Sequence, residues 1–245
     1  MNLTITEEQK QHLDREGYFL LEDVFTQSDM EALARNIEAL NSRNEERLRA
    51  EGSKEGSNSR AGEITFTSHL AQQDEAICDF CKRPEFVAIT TQLLGPDIDL
   101  YWNQSVFKHP EGRKEFPWHQ DDAYAEVTPA PYLTLWLALN DATPENGCIS
   151  VMPGSHRHGI VPHQATDIGK VCHSNDDPDQ GTLVPLKSGS MAVFWSQTFH
   201  KSGPNLSNRT RKAFVIQYSQ SPLRYAMTNE LVGHVLPIAR GGVAV

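Results

Sequence analysis

Residues 132–154 read Tyr132-Leu133-Thr134-Leu135-Trp136-Leu137-Ala138-Leu139-Asn140, then Asp141 to Asn146-Gly147, then Cys148-Ile149-Ser150-Val151-Met152 and Pro153-Gly154. A β-prone run over 132–140 meets the turn signal Asn146-Gly147, and a second short run over 149–152 ends at Pro153-Gly154. The same rhythm extends both ways. Candidate strands lie at 98–108, 182–186, 190–195 and 212–219, with further turns at Ser188-Gly189 and Gly203-Pro204. Many short, evenly spaced strands predict a sandwich, a jelly roll or a barrel.

Upstream of about residue 95 the pattern is mainly helical. Thr6 and Gln9 form a capping box for a helix that Gly17 ends, and Tyr18 to Leu21 follow as a short strand. Thr26 or Ser28 caps a second helix, whose Met30, Leu33, Ile37 and Leu40 make one apolar stripe that reads as core packing. Residues 43–63 are charged and rich in Gly, Ser and Asn, and read as a loop. A further helix starts near Pro84 and ends at Gly95-Pro96. The polar stretch 163–181 lacks periodicity and reads as a long loop of the kind that serves as a lid. The expected division is one domain over 1–245: a helical part over about 1–95, a β core over about 96–220 and a tail over 221–245.

The formal net charge of -10 makes a nucleic-acid partner unlooked for, since phosphate binding needs a basic surface, and argues against an anionic membrane. The longest apolar run, Leu133 to Leu139, is too short to span a bilayer, and the first residues lack a secretory pattern, so a cytoplasmic location is expected. Four cysteines include the C-x-x-C of Cys78 and Cys81. Without a second ligand pair or a thioredoxin-like context, this reads as two thiols on a helix.

Among ten histidines, His119-Gln120-Asp121 is the most informative site. In a strand, residues i and i+2 share a face, so an imidazole and a carboxylate stand side by side. A second histidine completes a two-histidine, one-carboxylate face that leaves positions open on a metal, the arrangement of non-haem Fe(II) oxygenases. His200, just after the run ending at Trp195, is the natural third member. Arg211 lies eleven residues further on, at the start of a strand, where its fork suits a carboxylate. Asp122 would point to the opposite face, and His156, His158, His109, His163, His173, His12, His69 and His234 lack a metal-like context.

The stretches Phe116-Pro117-Trp118-His119-Gln120-Asp121, Leu133 to Cys148, Pro153-Gly154-Ser155-His156 and His200-Lys201-Ser202-Gly203-Pro204-Asn205 up to Arg211 together resemble the phytanoyl-CoA dioxygenase family of Fe(II)/2-oxoglutarate oxygenases. Glu16-Gly17-Tyr18 resembles its opening, so the likeness runs from about residue 7 to about 220. The resemblance implies a mainly β fold with flanking helices around a double-stranded β-helix (jelly roll, cupin-like) core. It implies His119, Asp121 and His200 as iron ligands, and Arg211 and Ser202 as partners of the distal carboxylate of 2-oxoglutarate. It places Trp136 in the same pocket and Gln104 near the co-substrate, with Lys108 on the same strand face as Gln104. Fe(II), 2-oxoglutarate and O2 would then oxidise a small organic molecule, by hydroxylation, with release of succinate and CO2. Related halogenases replace the carboxylate ligand with a small residue; Asp121 is present, which argues against halogenation and leaves hydroxylation, desaturation or ring formation open. Tyr124, Asn103 and the stretches 43–63 and 163–181 are expected to border the open side of the metal. Two rival readings are a metal-dependent hydrolase or isomerase on a jelly roll, which leaves Arg211 and Ser202 without a role, and a non-catalytic binding module.

Overall fold

The computed structural model describes residues 3–52, 58–110, 115–166, 169–172 and 181–245. Two antiparallel sheets face each other as a double-stranded β-helix, and helices cover the outer face of the larger one.

The N-terminal helix α1 (Glu7–Glu16) has the expected capping box, Thr6 with Gln9. Such a cap contributes about 1 kcal/mol. Gly17 ends it at φ 82, and a Cβ there would run into His156 and Thr198. The carbonyl of Gly17 accepts from Trp195 N and Thr198 Oγ1, which ties this corner to the turn before His200. Strand β1 (Tyr18–Leu21) follows, then α2 (Gln27–Glu51), capped by Thr26. The stripe of Met30, Leu33, Ile37 and Leu40 is buried as expected. The loop expected from residue 43 does not begin there: α2 continues to Glu51, because Asn41, Glu45 and Leu48 extend its buried face. Glu45 is held there by His109 Nε2 at 3.0 Å and Arg49 at 3.1 Å. Two strands and two helices complete this half: β2 (Ile64–Ser68), α3 (Glu75–Cys81), α4 (Pro84–Leu94) and the long β3 (Ile98–Lys108). Cys78 and Cys81 are free thiols of α3.

Downstream come β4 (Phe116–His119), β5 (Val127–Thr128), β6 (Leu133–Ala138) and β7 (Ile149–Val151). The expected loop 163–181 contains a hairpin instead, β8 (His163–Thr166) with β9 (Gly169–Cys172). Residues 167–168 and 173–180 of that stretch, His173 included, and residues 53–57 of the other expected loop lie outside the described residues. Then follow β10 (Thr182–Val184), β11 (Met191–Trp195), β12 (His200–Ser202), β13 (Arg211–Gln220), β14 (Arg224–Tyr225), β15 (Leu236–Arg240) and β16 (Val243–Ala244).

The larger sheet runs β1-β11-β6-β13-β3-β15-β16, with β2 also paired to β3; the smaller runs β10-β7-β12-β4. The run Leu133-Thr134-Leu135-Trp136-Leu137-Ala138 shows why this sheet is buried on both faces. Leu133, Leu135 and Leu137 pack with Met30, Ile37 and Phe86 under the helices. Trp136 and Ala138 face inward, packing with Ile149, Val151 and Val184 of the smaller sheet. On β13 the same alternation sends Phe214, Ile216 and Tyr218 to the helices and Ala213 and Val215 inward. Arg211 and Gln217 continue that inward series, six residues and so about 20 Å apart along the strand. No helix among the described residues is long and apolar enough to cross a membrane.

Candidate active site

Strands β4 and β12 are antiparallel neighbours, and their register sets His200 directly opposite His119. The two rings lie 4.1 Å apart. The third member does not come from a regular strand, as the i, i+2 reading had it. The chain stays extended through Gln120 (φ -114, ψ 140) and then winds into one 3-10 turn, Asp121–Ala123. Asp121 Oδ1 thereby sits 3.8 Å from His119 Nε2 and 3.6 Å from His200 Nε2. One ligand atom from each of the three side chains lies within 4.8 Å of the others, the only such group among the described residues. Donors bound to one ion at about 2.1 Å stand about 3–4 Å apart, so the trio fits a single metal ion.

Each donor is pre-oriented by a partner on its far side. His119 Nδ1 meets Pro117 O at 2.8 Å and His200 Nδ1 meets Thr198 O at 3.1 Å. A carbonyl only accepts, so both Nδ1 atoms carry the proton and both Nε2 lone pairs face the site. Burial, with His200 alongside, pushes His119 well below the usual imidazole range, which favours the neutral ligand form. Asp121 Oδ2 accepts from Thr134 Oγ1 at 2.8 Å and Gln217 Nε2 at 2.9 Å, which turns Oδ1 toward the histidines. Gln120 is fully buried as a strut: its amide donates to Gly159 O and Gln197 O and accepts from Val161 N, while its backbone N–H donates to His163 Nε2. Asp122 stays out of the group, its carboxylate accepting from Gln197 Nε2 at 3.1 Å.

Two cavities meet at this face and share Phe66, Gln104, Phe116, His119 and Asp121. The inner one, of about 50 Å³, reaches His200, Ser202, Trp136 and Arg211. Arg211 is 0% exposed, and none of its three guanidinium nitrogens has a hydrogen-bond partner among the described residues. Its Cζ stacks 5.1 Å from the centroid of the Trp136 ring. Burial brings it down only to about 10, so it keeps its charge at neutral pH. An unpaired buried cation costs several kcal/mol, and such a site calls for an anion. Ser202 Oγ stands beside it, accepting from Lys108 Nζ at 2.9 Å. Lys108 does not line the cavity; its side-chain nitrogen donates to Ser202 O, Ser202 Oγ and Gly203 O, so it braces Ser202 at the cavity wall. Burial and the neighbouring Arg211 push Lys108 down to about 6, against the three acceptors that match its three protons.

The outer cavity, of about 380 Å³, opens toward Tyr124, as expected. Asn103 does not border it: the side chain is fully buried the other way, accepting from Ala71 N and donating to Gln72 Oε1. Residues absent from the sequence reading take its place, among them Trp102, Tyr101, Tyr132 and Gln217. Thr134 and Gln217 were nonetheless marked, each a polar residue inside an apolar strand and on the inward face.

The family model of phytanoyl-CoA dioxygenase matches residues 13–213. The "Probable alpha-ketoglutarate-dependent hypophosphite dioxygenase" of Stutzerimonas stutzeri is 26% identical over 226 residues, covering 87% of this chain and 78% of its own. The peroxisomal phytanoyl-CoA dioxygenase of Homo sapiens is 25% identical over 165 residues, 63% of this chain; the match spans 49% of its own length. Among solved structures, EvdO2 from Micromonospora carbonacea var. aurantiaca, complexed with 2-oxoglutarate, superposes with a TM-score of 0.70 at 21% identity, covering 94% of this chain and 96% of that one. At that identity the likeness is one of fold.

Proposed function

The chain belongs to the phytanoyl-CoA dioxygenase family and is an Fe(II)- and 2-oxoglutarate-dependent oxygenase, and from that premise we propose which residues hold each component and what the enzyme acts on. His119, Asp121 and His200 are the metal ligands. Arg211 receives the distal carboxylate of 2-oxoglutarate, Ser202 adds a hydroxyl donor, Trp136 forms the wall, and Gln104 stands at the junction of the two cavities. When bound, Fe(II) would activate O2, the oxidant, with 2-oxoglutarate giving up two electrons as it breaks down to succinate and CO2 and the substrate giving up the other two.

The chain's own contribution is orientation and exclusion of water. Pro117 O and Thr198 O fix the imidazole tautomers, and Thr134 and Gln217 fix the carboxylate. Trp136 and Arg211 seal the inner end in a buried environment where a charge-assisted pair is strong. Asp121 fills the position that a halide would need, which sets halogenation aside; hydroxylation of a small organic molecule is the proposed reaction, with desaturation and ring formation as the other outcomes open to the same chemistry. The observation that carries this reading is the fully buried, unpartnered Arg211 guanidinium in one cavity with the metal trio. A zinc hydrolase has no use for it, and a non-catalytic binding module has none for the intact metal trio beside it.

Anaerobic titration of metal-free protein with Fe(II) and 2-oxoglutarate tests the proposal. The expected outcome is a visible charge-transfer band in the wild type, absent in His119→Ala. Bound iron with no band would remove 2-oxoglutarate from this site and return the hydrolase reading.

A further inference from the structure

The outer cavity has its own chemistry. Its described lining carries the rings of Phe66, Tyr101, Trp102, Phe116, Tyr124 and Tyr132, together with neutral amides and hydroxyls, and no lysine or arginine. Nearby described cations are engaged elsewhere. Lys170 donates to Ala123 O and lies over the Tyr124 ring. Lys201, on the inner side, pairs with Glu115 at 3.0 Å and covers Trp118. Arg211 faces the inner cavity. With Fe(II) and the 2-oxoglutarate dianion bound, the charges of metal, Asp121, Arg211 and co-substrate would cancel, so an anion in the outer cavity would lose its water with no described countercharge left for it.

Gln217 adds direction to this lining. Asp121 Oδ2 only accepts, so the amide end that touches it must be Nε2. The same Nε2 lies 3.3 Å from Thr134 Oγ1. This fixes the amide: both side-chain hydrogen bonds of Gln217 to described residues run through Nε2, which leaves Oε1 as the free end of a side chain that lines the outer cavity. A fixed acceptor therefore stands one amide away from a metal ligand.

We propose that the outer cavity selects an uncharged, ring-bearing substrate whose hydroxyl or N–H donates to Gln217 Oε1. The inference rests on the reaction class given above and adds the substrate class to it. The six rings supply apolar and stacking contact for a ring system. This fixed acceptor rewards a donor on that ring, and an unmade hydrogen bond there is costly for an analogue that lacks one. Thioesters of coenzyme A and phosphorus oxyanions fall outside this class.

The test uses wild-type protein loaded with Fe(II) and 2-oxoglutarate without oxygen, the charge-transfer band being the control for the reaction class. Ligand-observed NMR then measures binding of matched probes: hydroxylated aromatic amides, their carboxylate counterparts, their O-methyl ethers, a coenzyme A thioester and hypophosphite. The amides are expected to bind at least about tenfold tighter than the carboxylates, and O-methylation to weaken binding about tenfold. In Gln217→Leu, hydroxyl and methyl ether should bind equally; comparing the two ligands within one variant cancels any change in iron site or fold. With the band present, the inference is overturned if carboxylates bind as well as amides. It is equally overturned if no ring compound binds, or if the methylation penalty survives in Gln217→Leu. Absence of the band overturns the reaction class itself, and the substrate class with it.

Discussion

On the inner side of His119, Asp121 and His200 stands one buried, unpaired cation, Arg211; on the outer side stand six rings and neutral amides, with no cation in the described lining. The inner cavity carries its electrostatics before any ligand arrives. It holds charge that the fold alone does not satisfy, so it is matched to one kind of occupant, a dianion short enough to reach from the metal to Arg211. The outer cavity is fully compatible with being empty, and its selectivity rests on shape and on one directed acceptor. Constancy on one side and adaptability on the other suit an enzyme whose co-substrate is fixed and whose substrate distinguishes it from its relatives.

The largest expected effect tests the inner half of that contrast and has opposite signs in two assays. Arg211→Met removes the charge and keeps the volume. Half-saturation by 2-oxoglutarate, read from the charge-transfer band, should rise about 100-fold with the loss of a charge-assisted pair. Meanwhile the ligand-free protein should become more stable, by about 1–4 kcal/mol in denaturant unfolding, because the apolar side chain replaces an unpaired buried charge. A ligand-free variant less stable than wild type would mean that Arg211 is already satisfied, and the inner cavity would lose its distinguishing feature.

A smaller effect is expected at the face the two cavities share. Thr134→Val deletes one of the two donors on Asp121 Oδ2 and nearly preserves shape. Iron affinity should fall about 10-fold, at the lower end for outer partners of metal ligands. Competition with a chelator measures it. Unchanged affinity would assign the orientation of Asp121 to Gln217 alone, and tie the metal face to the same amide that borders the outer cavity.

The two cavities also differ in how far the sequence revealed them. The inner one depends on short motifs: His119, His200, Ser202 and Arg211 lie on two neighbouring strands and the strand after them, and Asp121 on the turn that follows the first, so spacing along the chain translates into proximity. The outer cavity draws on Asn58, Phe66, Trp102, Tyr132 and Gln217, whose meeting depends on the whole sheet arrangement and leaves no local pattern. Asn103 shows the hazard of local reasoning there: a polar residue on β3 next to the site, yet turned to serve Ala71 and Gln72. Residues 43–51 were misread for a related reason. Their charge hid a helix whose buried face is partly polar, with Asn41 accepting from Thr65 and Thr67 of β2. The strand β15, within 221–245, pairs with the far end of β3 without a strong pattern of its own.

The smallest effect concerns the charge behind the outer cavity, Asp122. Its side chain is fully buried, Oδ1 lacks a partner among the described residues, and burial raises its pKa from 3.8 to about 6. Between these two values the folded protein holds a proton that the unfolded chain has released, so stability from this group falls as pH rises through the window and stays low above it. The shift amounts to about 3 kcal/mol at most. Asp122→Asn removes the titration, accepts from Gln197 through its carbonyl, and leaves its NH2 where Oδ1 found no partner. That unmade bond offsets most of the gain, so at pH 7 the variant should be at most about 1 kcal/mol more stable than wild type. The sharper signature is in the pH profile of denaturant unfolding: the difference between variant and wild type should shrink, then reverse, as pH is lowered from 7 toward 4. A difference that stays constant over that range would mean that Asp122 titrates normally, and that the outer side tolerates a buried charge as readily as the inner one.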